Sequence, residues 1–120
     1  MTMTILHITE AQQWEKAQLT GVYRSETLDS EGFIHCSTPE QVVPTANRFF
    51  HGKRGLLLLL VDLERLQGEV RYEGNDQEGY FPHIYAPLNT EAVFGVINFE
   101  PDKDGKFIQT AELTALMLEK

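Results

Sequence analysis

A chain of 120 residues with eighteen acidic and ten basic side chains, net charge −8, is one domain's worth of sequence. Its 42% hydrophobic and 23% charged residues exclude disorder, and the acidic field argues against binding duplex nucleic acid through its phosphates. The lone cysteine, Cys36, excludes an internal disulfide and points to a reducing, cytoplasmic setting. No apolar run approaches the roughly 20 residues that span a bilayer, so no membrane partner is expected. Met1-Thr2-Met3-Thr4 lacks the basic and apolar regions of a signal peptide.

Residues 4–9 (TILHIT) alternate and carry β-branched side chains, which predicts a first strand. Thr9 and Gln12 fit a capping box opening a helix that turns Trp14 and Ala17 inward and stops at Gly21. Residues 22–28 read as a short extended piece and a turn, and residues 32–37 (GFIHCS) as a second strand. Thr38, Pro39 and Gln41 signal a second main helix with a stripe of Val42, Ala46, Phe49 and Phe50. Pro44 predicts either a kink there or a helix that starts at Pro44. Six apolar residues, Leu56 to Val61, mark a strand buried on both faces. After a turn over residues 62–68 come a short strand at 69–72, an acidic loop at 73–80, and a strand at 81–85 (FPHIY). Pro82 places that strand at an edge or at its own start. A long strand at 93–100 follows, then a hairpin at Asp104-Gly105 leading into a strand at 106–109, and over 111–118 either a last helix or a loose extension. The class is α+β: a single compact domain over residues 1–120, with a mostly antiparallel split sheet and two main helices.

Strand parity brings three histidines into register with hydroxyls. His7 shares a face with Thr9, His35 with Phe33 and Ser37, and His83 with Phe81 and Tyr85. Matched faces would give one cleft with imidazoles able to move protons near neutral pH. The plainer alternative is that each is a half-buried histidine with one nitrogen satisfied. His51, in the stretch His51-Gly52-Lys53-Arg54 after a helix, reads as charge complementing the helix C-terminus, or the stretch as an anion site. The two His-x-Ser/Thr tripeptides also invite comparison with two-histidine phosphoesterases. No metal site is expected, because His35 and Cys36 fall on opposite faces.

The set Ile5-Leu6-His7-Ile8-Thr9, Trp14, Gly21-Val22-Tyr23, Glu31-Gly32-Phe33-Ile34-His35-Cys36-Ser37, Gln41, Tyr72-Glu73 and Phe81-Pro82-His83-Ile84-Tyr85 resembles a small bacterial family called domain of unknown function 952. The resemblance runs over about residues 5–100, leaving 101–120 as an extension. That family is in turn similar to the ADP-ribosyltransferase-like fold, which cradles NAD. His7-x-Thr9 resembles its His-Gly-Thr strand with Ile8 in place of glycine, and His35 stands where such enzymes keep a tyrosine.

The resemblance implies an enzyme whose ligand is NAD, a related nucleotide or another small polar molecule. His7 with Thr9 would hold a ribose or amide edge, Tyr23 or Tyr85 would stack on a ring, His35 would act as acid or base, and Glu73 would stabilise positive charge. Phe33 and Phe81 would supply apolar walls, with Ser37 beside them. The alternative is a non-catalytic binding module using the same cleft. Fold analogy alone does not choose between them.

Overall fold

The computed structural model describes residues 4–118, so the reading of Met1 to Met3 lies outside the described residues. In chain order the elements are β1 Thr4–Glu10, α1 Ala11–Thr20, β2 Val22–Tyr23, α2 Glu26–Glu31, β3 Ile34–His35, α3 Val42–Phe49, β4 Leu56–Asp62, β5 Val70–Asn75, β6 Gly79–Ile84, β7 Leu88–Asn89, β8 Val93–Phe99 and α4 Ala111–Met117. All strand pairs are antiparallel and fall into three sheets, ordered β1–β4–β8, β3–β6–β5 and β2–β7. The α+β class holds. Among the described residues there are four α-helices: the two main ones, the tail helix α4, and α2, which was not expected.

The unbroken apolar run of β4 divides the core. Leu59 and Val61 pack on one side with Ile5, Tyr23, Ile34 and Ile84, while Leu56, Leu58 and Leu60 pack on the other with Leu6, Val42, Phe99 and Phe107. A central strand covered on both faces needs apolar residues at every position, which is why this run does not alternate. Its neighbour β1 is also buried on both faces, so His7 points into the protein rather than to an open face.

Several local expectations change, each for a physical reason. Thr9 does not cap α1: the N-cap is Glu10, which makes no side-chain cap bond, and the Thr9 hydroxyl is used elsewhere. Gly21 does close α1, at φ 83°. The turn expected near Leu28 is instead α2, capped by the Ser25 side chain accepting from the Leu28 N–H. Pro44 is the third residue of α3, where its missing N–H falls among the donors that a first helical turn leaves unbonded. The Thr45 N–H still reaches the Gln41 carbonyl, so neither a kink nor a start at Pro44 is needed. Phe49 leaves the apolar stripe and is 66% exposed.

The loop expected at 73–80 is a hairpin, with β5 running on to Asn75 and β6 beginning at Gly79. The expected strand at 106–109 is absent from the described residues. Instead Phe107 inserts into the core, its N–H donating to Asn47 Oδ1 and its carbonyl accepting from Asn47 Nδ2. A side-chain amide thus supplies what a neighbouring strand would have supplied. Thr110 then caps α4, which buries Leu113. Among the described residues no helix is long and apolar enough to cross a membrane.

Pro82 is not at an edge, because β6 is the middle strand of its sheet. Its carbonyl accepts from the Cys36 N–H at 3.0 Å, but it has no N–H to return. Pairing of β3 therefore ends at His35, and the chain crosses to β1, where Leu6 and Ser37 exchange two 2.8 Å backbone bonds. The expected strand at 32–37 is thus shared between two sheets.

Gly74 sits at φ 153°, and a Cβ there would lie 2.0 Å from the Gly79 carbonyl oxygen across the hairpin. Gly74→Ala is expected to cost more than about 2 kcal/mol in urea unfolding, since backbone cannot yield as a flexible side chain does. A loss below about 0.5 kcal/mol would show that the two strands do not close so tightly.

Candidate functional site

Where the chain crosses between sheets, a groove of about 890 Å³ opens between the β1 and α3 side and the β5–β6 hairpin. His7, Thr9, Tyr23, His35, Ser37, Glu73, Phe81 and His83 all line it. Phe33 and Tyr85 do not line it and instead support the lining from behind.

The floor is a buried polar network. His7 Nδ1 lies 2.6 Å from the His35 carbonyl oxygen and Nε2 lies 2.8 Å from the Tyr23 hydroxyl. A carbonyl only accepts, so Nδ1 carries the proton and the neutral ring offers Nε2 as an acceptor. The Tyr23 hydroxyl also lies 2.7 Å from Thr9 Oγ1, which in turn meets Gln13 Oε1 at 3.3 Å. Burial pushes the His7 imidazole down to about 4, outweighing the raising effect of its bond to the His35 carbonyl. Burial likewise pushes the Tyr23 phenol up to about 12. Both ring nitrogens of His7 are therefore engaged within the protein, and its ring ties β1 to the backbone of β3. Tyr23 is 1% exposed and has no free face for stacking.

The wall is different in character. Register places His35 opposite His83 and Glu73 opposite Phe81, all on one face of the β3–β6–β5 sheet. His83 Nδ1 is 2.8 Å from Glu73 Oε1, and the Tyr85 hydroxyl donates to the same oxygen at 2.5 Å. These two bonds, Tyr85's first, hold the Glu73 carboxyl below the usual carboxylate range, and the same bond raises the Tyr85 phenol. Phe33 stacks on the His83 ring at 4.2 Å, and the His35 ring meets His83 edge-on at 5.1 Å. His83 is thus held by a carboxylate on one nitrogen and by an aromatic face, leaving Nε2 for a ligand. His35 is more loosely held, its Nε2 3.3 Å from both Glu31 carboxylate oxygens.

Sequence reasoning gave no site role to Gln13, Glu31, Arg48 or Arg71, and met Lys53 only within the stretch from His51 to Arg54 read as a dipole complement or an anion site. Arg71 stacks its guanidinium 4.4 Å from the Tyr85 ring centre, and parity from Glu73 on the same strand could have placed it. Arg48 and Lys53 line the groove from the far side of α3.

The fold and its groove define an α+β domain with a histidine–carboxylate wall at the seam between two sheets. The chain belongs to the family described as protein of unknown function (DUF952), whose profile matches residues 8–96. It is similar to the crystal structure of protein CC0527 from Caulobacter crescentus, at 31% identity and TM-score 0.83, covering 92% of this chain and 98% of that one. The solution NMR structure of CC0527 matches at 33% identity and TM-score 0.73, covering 85% and 89% respectively. Among curated proteins no sequence matches.

Proposed function

We propose that the groove is a nucleotide site at which an ADP-ribosyl group is transferred from NAD, in a domain that works in the reducing cytoplasm. The observation that carries this reading is the Glu73–His83 pair: an oriented imidazole beside a carboxylate kept ionised, on the wall of a groove of ligand size. The split arrangement of sheets, with His7-x-Thr9 on the first strand, supports the likeness to the ADP-ribosyltransferase-like fold.

In this reading Glu73 faces the positive charge that develops on the ribose carbon as its bond to nicotinamide breaks. The electrons of that bond leave with nicotinamide. A lone pair of the acceptor forms the new bond, and the acceptor's proton passes to His83 Nε2. His35, adjacent to His83, hydrogen-bonds a ribose hydroxyl. His7 does not touch the ligand; it positions His35 through the backbone carbonyl it holds. Phe81 and Ser37 complete the wall.

Isothermal titration with NAD, followed by assay of released nicotinamide, tests the proposal. Saturable heat is expected for the wild type, with Glu73→Gln lowering release by about 100-fold while binding stays within about threefold. No heat with millimolar NAD or ADP-ribose would overturn the nucleotide reading. Binding without release to water or any acceptor would overturn the transfer step and leave a binding module.

A further inference from the structure

Opposite Glu73 and His83, the groove is walled by the end of α3 and the turn after it, through Arg48, Phe49, Phe50 and Lys53. α3 buries Val42 and Ala46, which leaves Phe49 turned out of the core. The Arg48 guanidinium lies 5.0 Å from the Phe49 ring centre. Arg48 pairs with Glu78 at 3.2 Å and Lys53 with Glu10 at 3.6 Å, and all four side chains are about half exposed or more. Exposed pairs of this kind hold weakly, so a more highly charged anion can take over both cations. An exposed ring beside two exchangeable cations suits a ligand that joins a flat base to clustered negative charge, namely a nucleoside diphosphate.

The spacing also fits. Arg48 meets the hairpin at Glu78, next to the start of β6, and from Gly79 to His83 the strand advances about 13 Å. A ribose and a diphosphate bridge such a span, whereas a lone sugar does not. We propose that the α3 end is the base-and-diphosphate subsite of the groove. The base lies on Phe49, the diphosphate at Arg48 and Lys53, and the reacting ribose at Glu73 and His83. This assignment rests on the nucleotide reading above.

Titration of the full chain with ADP and with nicotinamide riboside, which lacks phosphate, tests it. Phe49→Ala and the double variant Arg48→Ala/Lys53→Ala are expected to weaken ADP by at least about tenfold, leaving nicotinamide riboside within about threefold. Glu78→Gln, which frees Arg48 from its carboxylate, is expected to tighten ADP severalfold. The inference is overturned if these variants bind ADP as the wild type does, or if Glu78→Gln weakens ADP as loss of Arg48 does. It is overturned alone if the wild type binds nicotinamide riboside but not ADP. If the wild type binds neither, the nucleotide reading falls with it.

Discussion

Leu58→Ala is expected to lower the unfolding free energy by about 2–5 kcal/mol, as measured by urea denaturation. Leu58 is fully buried in the middle strand of its sheet, between Ile8 of β1 and Ile97 of β8. Truncation removes its transfer energy and leaves a cavity that two flanking strands cannot collapse without breaking register. Leu60, on the same face of β4, is expected to behave alike. Leu19→Ala is the control: Leu19 is 88% exposed, so its loss should stay within about 0.5 kcal/mol. A cost below about 1 kcal/mol at both Leu58 and Leu60 would mean that β4 does not organise the core.

The second large effect is on pH. His7 falls from an ordinary value of 6.5 to about 4 in the folded protein, so between those values the unfolded chain binds more protons than the native one. The stability contributed by the neutral ring is fully present above pH 6.5, declines as pH falls, and is lost once pH passes about 4. Its full size is about 3 kcal/mol. The interval from pH 6.5 to 5 is the diagnostic one, because carboxylates titrate mostly below it. There the wild type should lose stability steadily on acidification, whereas His7→Gln should give a flatter line whatever its absolute stability. Equal slopes in the two proteins would contradict the assignment of a buried neutral imidazole. The cause is burial: a charged imidazolium at this position would be held away from water, and that outweighs the favourable bond to the His35 carbonyl.

What the sequence made legible follows from the range over which its signals act. The apolar run of β4, the alternation of β1 and the stop at Gly21 are local patterns with one physical solution each. The parity that puts Phe33, His35, Phe81 and His83 together needed only the alternation of a strand, and the cross-strand register lies as that alternation requires. Alternation says which residues share a face but not how deep each lies: His7 lines the same groove as His35 and His83, yet is buried at its floor. α2 was missed because none of its residues is buried, so no apolar period exists to read. Its cap residues Ser25 and Gly32 were the available signal. The strand placed at 106–109 failed because a side chain sixty positions away, Asn47, satisfies the backbone of Phe107. That Arg48 belongs to the groove was illegible for the same reason: its proximity to the β5–β6 turn is set by tertiary packing.

Pro82 has a further consequence for how the molecule comes apart. By cutting the β3 ladder short, it leaves the β5–β6 hairpin tied to the rest of the fold by a brief pairing with β3, by the buried Pro82 and Ile84, and by two side-chain bridges, Gln41 to the Tyr80 carbonyl and Arg48 to Glu78. β5 itself buries little. The two walls of the groove are thus expected to differ in cooperativity, with amides of the β5–β6 hairpin exchanging before those of the β1–β4–β8 sheet. Glu73 and His83 sit on that less deeply buried half of the groove.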